Sequence, residues 1–311
     1  MAKNLLSVFD LSAQEIWSLL ILAAKLKKGA GSKPYLRGKS VGLIFEKPST
    51  RTSVSFSVAT YQLHGFPLML DAKNLQRKRG ETIHDTSQTL SRYLNAIVIR
   101  AFKHTDVEEF AQSATIPVIN GLTDREHPCQ ILGDLLTIME QKKVRSKADF
   151  KKIKIVFVGD GNNVAHSLLA SASLLGLTFS FAGPKGYGPD EDILARAKKA
   201  AAVSGAKIEV TSDEKKAVKD ADIIYTDVWT SMGAESETEK RKRVFRPYQV
   251  NSSLLRNAKP GCSVMHCLPA VRGEEITADI IDGPNSIVFD QAENRLHIQK
   301  AILISLLTSK K

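Results

Sequence analysis

Ser40-Val41-Gly42-Leu43-Ile44-Phe45, continuing into Glu46-Lys47-Pro48-Ser49-Thr50-Arg51-Thr52-Ser53, reads as a buried strand, a turn and the opening of a helix. The strand lacks polar alternation, the pattern of a parallel strand covered on both faces. The helix it feeds runs to about Leu63. Outward from this corner the alternation continues. Ser12 with Glu15 forms a capping box for a helix ending near Lys28, with Gly29 as its stop. Short strands are predicted at Phe66–Leu70, Ala96–Arg100 and Ile116–Asn120, separated by helices at Thr82–Tyr93 and Thr105–Gln112. A long helix follows from Cys129 to Gln141, and the polar run Lys142-Lys143-Val144-Arg145-Ser146-Lys147 marks a domain boundary. A second series restarts at Lys154–Val158, with strands predicted at Thr178–Ala182, Lys207–Thr211, Ile223–Thr226, Ser263–His266 and Ile287–Phe289. A long loop is expected over Gly233–Arg246 and a closing amphipathic helix over Arg295–Leu307. Strands alternating with helices, twice over, predict an α/β chain of two doubly wound parallel-sheet domains joined by long helices. The domains are expected at residues 1–143 and 144–292, with residues 293–311 packing back on the first.

A chain of 311 residues, 43% hydrophobic and 25% charged, is globular and longer than one core usually holds. The apolar stretch Trp17 to Ala24 is too short to span a membrane, and the first residues do not read as a signal peptide. Cys129, Cys262 and Cys267 cannot all pair, so a reducing cytoplasm is the expected location. The net charge of +11 suits either an enzyme for anionic substrates or a nucleic-acid binder. Much of the excess lies in scattered helical lysines such as Lys25, Lys27, Lys28, Lys198 and Lys199. Aromatics are 6% of the chain and are not interleaved with the basic runs, so no nucleic-acid partner is expected.

The turn Ser49-Thr50-Arg51-Thr52 leaves a strand's carboxyl end and enters a helix. Helix-terminal N–H groups, hydroxyls and a guanidinium there make an anion site. A cap alone needs one hydroxyl. Arg100 ends a neighbouring strand and can converge on the same edge. His127-Pro128-Cys129-Gln130 opens a helix, either as a plain start signal or as an imidazole and an amide at the rim of the site. Gly159-Asp160-Gly161-Asn162-Asn163-Val164 begins like a dinucleotide fingerprint but has Val164 at the third glycine and no ribose-binding acid after the next strand. A nicotinamide enzyme is therefore the weaker reading, and no cofactor is expected. Asp227, before Val228-Trp229-Thr230-Ser231-Met232-Gly233, can bind an ammonium group or merely cap a turn. His127, Cys129, His266 and Cys267 lack zinc-site spacing, and adjacent His-Cys on a strand would project to opposite faces, so no metal is expected.

Four motifs in register (Ser49-Thr50-Arg51-Thr52, His127-Pro128-Cys129-Gln130, Asp227 to Gly233, and His266-Cys267-Leu268-Pro269) resemble the ornithine carbamoyltransferase family over essentially the whole chain. One departure is Ser53, where many members carry a second arginine. The resemblance implies transfer of a carbamoyl group from carbamoyl phosphate to ornithine by a homotrimer or a multiple of one. It implies that Ser49, Thr50, Arg51, Thr52, Gln76, Arg100, His127, Gln130, Cys267, Leu268 and Arg295 bind carbamoyl phosphate, Gln76 acting in a neighbouring subunit's site. Asn163, Asp227, Ser231 and Met232 would hold ornithine; Arg100, His127, Asp227 and Cys267 would be catalytic. Whether Cys267 or the phosphate takes the amine's proton stays open. A sister enzyme acting on putrescine or N-acetylornithine is the nearest rival.

Overall fold

The computed structural model describes residues 3–29, 33–72, 75–230 and 235–308. The chain forms two compact units, residues 1–140 with 292–311, and residues 141–291.

The first unit contains α1 (Ala13–Lys27), β1 (Ser40–Phe45), α2 (Thr50–Gln62), β2 (Phe66–Asp71), α3 (Ile83–Tyr93), β3 (Ala96–Arg100), α4 (His104–Ser113), β4 (Val118–Leu122) and most of α5 (Pro128–Gln141). Its four strands are all parallel, in the order β2-β1-β3-β4. β1 and β3 are the inner strands, and their run of Val, Leu and Ile is what a sheet buried on both faces demands. Connections leave in opposite directions from β1 and β3, so the crevice at their carboxyl ends is the topological switch point. Phe45 pairs with Arg100 in this register, which puts Arg100 beside the turn after β1. β4 starts at Val118, two residues later than the sequence suggested. Pro117 has no N–H for the ladder and contributes only its carbonyl, to Ile97 N at 2.9 Å.

The second unit contains β5 (Lys154–Val158), α6 (Asn163–Leu175), β6 (Thr178–Ala182), α7 (Glu191–Ser204), β7 (Lys207–Thr211), α8 (Glu214–Val218), β8 (Ile223–Thr226), α9 (Thr238–Phe245), α10 (Ser252–Leu255), β9 (Ser263–His266) and α11 (Ala278–Ile281). Five parallel strands run in the order β7-β6-β5-β8-β9, and the switch point lies between β5 and β8. Phe157 stacks between Phe181 and Tyr225, at 6.0 and 5.6 Å between ring centres, so one aromatic layer crosses β6, β5 and β8. Thr226 Oγ1 donates to the Val158 carbonyl (2.7 Å), tying the ends of β5 and β8 together where the chain turns out of the sheet.

Two expectations are corrected here. Ile287–Phe289 is not a strand: a single bridge joins Val264 to Ser286, and α12 (Val288–Thr308) begins at once. A three-residue apolar run fits a strand or a helix start equally, and Phe289 at 74% exposure breaks the strand reading. Of the expected loop, residues 233 and 234 lie outside the described residues; beyond them a 3-10 turn and α9 stand in its place. No helix among the described residues is long and apolar enough to cross a membrane.

Candidate active site

The corners after β1 and after β5 have the same topology but opposite chemistry. At the second, Asn162 caps α6: its Oδ1 accepts from Val164 N (3.0 Å) and Ala165 N (3.1 Å), occupying the N–H groups a dinucleotide phosphate would need. At the first, Ser49 occupies the N-cap position of α2 in extended backbone, yet its hydroxyl makes no capping bond. The first turn of α2 carries no acidic side chain either. The N-cap side chain is thus spent on capping at the second corner and not at the first. Ser49 and Arg51 are half-buried, Thr50 is exposed and Thr52 is buried.

Around that first turn the unit gathers positive charge. His127 is buried, and its imidazole is pushed well below the usual 6.5 by burial first, then by the guanidinium groups of Arg295, Arg100 and Arg51. Three arginines, from α2, β3 and α12, therefore act on one imidazole. Arg295 Nη2 donates to Thr52 Oγ1 at 2.9 Å, and Nη1 donates to Gln130 Oε1. Gln130 in turn donates through Nε2 to Asp134 Oδ1 at 2.8 Å, one turn further along α5. Asp134 is fully buried, and it fixes which end of the Gln130 amide faces the arginine. Sequence reading did not single out Asp134, because it sits inside an otherwise apolar helix. Cys129, beside it, is inert: burial pushes its thiol up to about 12. Gln76 is exposed on a 3-10 turn, and among the described residues its side chain makes no hydrogen bond to this cluster.

A depressed histidine has a definite effect on stability. Folded His127 refuses a proton that the unfolded chain accepts, so its contribution is present above the unfolded value and lost as pH falls below it. Chemical-denaturation midpoints at about pH 8 and about pH 5.5 should fall more for the native protein than for His127→Asn. Equal losses would mean that the imidazole is not held neutral.

In the second unit the ends of β5, β8 and β9 meet on one carboxylate. Asp227 Oδ1 accepts from Cys267 Sγ at 3.1 Å, and Oδ2 accepts from Asn162 Nδ2 at 2.8 Å. Asn163, the residue singled out from sequence, is half-buried at the first position of α6; Asn162, its unremarked neighbour, is the one that orients Asp227. Ser231 and Met232 lie outside the described residues. Leu268 has φ +57°, a left-handed conformation unfavourable for a branched side chain, and its N–H donates to His266 Nδ1 at 2.8 Å. His266 Nε2 donates to Glu275 Oε1 (3.0 Å), which also accepts from Val271 N (2.7 Å). His266 and Glu275 are fully buried. The imidazole thus shapes the backbone after Cys267.

The expectation from strand alternation that His266 and Cys267 project to opposite faces is corrected by the structure. Asp227, His266 and Cys267 bring one ligand atom each within 4.8 Å of one another. β9 ends at His266, so the alternation of a strand does not extend to Cys267. Both ring nitrogens of His266 are nonetheless engaged, by Leu268 N and Glu275.

The carbamoyl-P binding domain of aspartate/ornithine carbamoyltransferases matches residues 3–140, and the Asp/Orn binding domain matches residues 151–306. The chain belongs to the aspartate/ornithine carbamoyltransferase family. Within this carbamoyltransferase family, an anabolic ornithine carbamoyltransferase of Pyrococcus furiosus is 54% identical over 304 residues, 97% of this chain and 95% of its own. The ornithine carbamoyltransferase of Bacillus subtilis is 52% identical, over 98% and 94%. The solved P. furiosus ornithine carbamoyltransferase superposes with a TM-score of 0.94 at 52% identity, covering 99% of this chain and 98% of that one. Ornithine transcarbamoylase of Giardia lamblia gives 0.90 at 32% identity over 99% of both. The arginine cluster around His127 falls in the carbamoyl-P binding match except for Arg295, which lies in the other match but in the first compact unit.

Proposed function

We propose that this carbamoyltransferase moves the carbamoyl group of carbamoyl phosphate to the side-chain amine of L-ornithine, giving L-citrulline and phosphate. The observation that carries the reading is the uncapped start of α2 beside Arg51, Arg100, Arg295 and neutral His127. A dianionic phosphate matches that positive cluster, with Arg51 and the α2 N–H groups as its ligands, joined by Ser49, Thr50 and Thr52. Thr52, Arg100 and His127 present donors suited to the oxyanion that forms when the amine attacks the carbamoyl carbon. Preorganised donors of this kind are worth roughly 3–4 kcal/mol each. Gln130, held by Asp134, and Arg295, bonded to Gln130 and Thr52, keep that donor set in place. The acceptor belongs to the second unit, at Asp227, Asn163, Ser231 and Met232, with Cys267 and Leu268 beside it. Asp227 offers an ammonium ligand, and its bond from Cys267 keeps the thiol next to the attacking amine.

Citrulline formation should be far faster with L-ornithine than with putrescine or N-acetylornithine under saturating carbamoyl phosphate. No preference for ornithine would transfer the assignment to a sister activity. We also propose a homotrimer or a multiple of one, in a reducing cytoplasm. β2 is an edge strand, and Phe66, Met69, Val54 and Tyr61 on β2 and α2 expose 50% or more of their surface, an apolar face a monomer rarely leaves open. Gln76 is exposed close by in sequence, where a neighbouring subunit could use it. Light scattering reporting a monomer would overturn the assembly.

A further inference from the structure

α9 is a strongly cationic helix, Thr238-Glu239-Lys240-Arg241-Lys242-Arg243-Val244-Phe245, and one of its basic residues turns inward. The Arg241 side chain is 14% exposed. Its Nη1 donates to Asp160 Oδ2 and to the Trp229 carbonyl, both at 2.9 Å, and its Nε donates to Glu237 Oε2 at 3.1 Å. The guanidinium also lies over the rings of Tyr187 (5.1 Å) and Phe245 (5.8 Å). A guanidinium can fork to several acceptors while stacking; an ammonium cannot.

The two acceptors lie on either side of the switch point. Asp160 belongs to the turn after β5, two residues before Asn162. Trp229 follows β8, two residues after Asp227. That turn has little freedom of its own: Gly161 N donates to the Tyr187 carbonyl at 2.8 Å, and a Cβ on Gly161 would stand 2.2 Å from the backbone of Gly188. Both ends of the Asn162 amide are committed, one to the α6 N–H groups and the other to Asp227. A shift of the turn would therefore move the carboxylate.

We infer that Arg241 is a positioning residue of the acceptor site: by binding Asp160 and the Trp229 carbonyl together, it sets the separation between the Asn162 turn and the segment carrying Asp227. Arg241 need not touch either substrate for this role. A largely buried ion pair adds little net stability over an apolar replacement, so this one is better explained by the geometry it imposes than by folding. The inference rests on the assignment of Asp227 to the amine acceptor.

The test is steady-state kinetics of the full chain with Arg241→Gln, Arg241→Lys, Asp160→Asn and the Asp160→Asn/Arg241→Gln double variant, alongside thermal midpoints. Arg241→Gln should raise the KM for ornithine about tenfold or more and leave the KM for carbamoyl phosphate within about twofold. Arg241→Lys should fall between it and the native protein, and it serves as the reporter if the glutamine variant does not fold. The double variant should be no worse than Arg241→Gln alone, because both changes break one link. An unchanged ornithine KM, additive effects, or equal rises for both substrates with a lowered thermal midpoint would each overturn the role. If the native protein makes no citrulline, the proposed function fails instead, and that control is read first.

Discussion

Arg51→Ala is expected to remove carbamoyl phosphate binding while leaving the fold intact. Arg51 sits in the first turn of α2, whose N-cap hydroxyl is not spent on capping and whose first turn holds no acid. A guanidinium there can clamp two phosphate oxygens while the helix N–H groups take the others. Truncating one partner of a desolvated charge pair costs about 2–5 kcal/mol, so affinity should fall by at least about thirtyfold. The fold should not suffer. Arg51 is only half-buried, and alanine is a strong helix former, so the truncation neither opens a core cavity nor weakens α2. The unliganded variant should therefore be about as stable as the native protein. Carbamoyl phosphate or inorganic phosphate should then raise the thermal midpoint of the native protein but not of the variant. An unchanged affinity by calorimetry would place the phosphate elsewhere.

The features legible in the sequence were those that a few adjacent residues can encode. Val41 to Phe45 and Ile97 to Arg100 read as inner parallel strands because burial on both faces removes polar alternation. The strand-to-helix turn Ser49–Thr52 is conspicuous for the same local reason, with three hydroxyls and an arginine inside four residues. Asp227 and Cys267 were each visible as residues leaving a strand, but their hydrogen bond was not. It arises because β8 and β9 are neighbours, which a sequence separation of 40 conceals. In the sequence Asn162 belongs only to a failed dinucleotide pattern, yet the failure and its capping of α6 have one cause: its side chain takes the N–H groups that a phosphate would need. α9 has no apolar period to reveal it in the sequence. Its anchors are one aromatic, Phe245, and one arginine turned inward, a residue that a hydropathy pattern scores as surface. Asp134 poses the same difficulty in reverse, a carboxyl group hidden in the apolar stripe of α5 and explicable only once Gln130 and Arg295 are seen.

Cys267→Ala should cut turnover by about two orders of magnitude with little change in carbamoyl phosphate affinity, the scale of a positioned proton-transfer or orienting group. The thiol donates to Asp227 Oδ1 at 3.1 Å, and Asn162 occupies the other oxygen. Removing the sulfur leaves the carboxylate held from one side only, next to an amine that must shed its proton and be aligned before it attacks. The backbone beyond Cys267 should survive the change, since the left-handed turn at Leu268 is maintained by His266 Nδ1 and the His266–Glu275 pair, not by the thiol. Comparison with two further variants separates the roles. Cys267→Ser keeps a donor toward Asp227, so it should recover part of the lost kcat if orientation is what the thiol supplies. Asp227→Asn keeps the shape but loses the charge that attracts an ammonium group, so its main effect should be a raised ornithine KM. Turnover of Cys267→Ala within about threefold of the native enzyme would remove Cys267 from the chemistry. Asp227 and Asn162 would then be left to orient the amine.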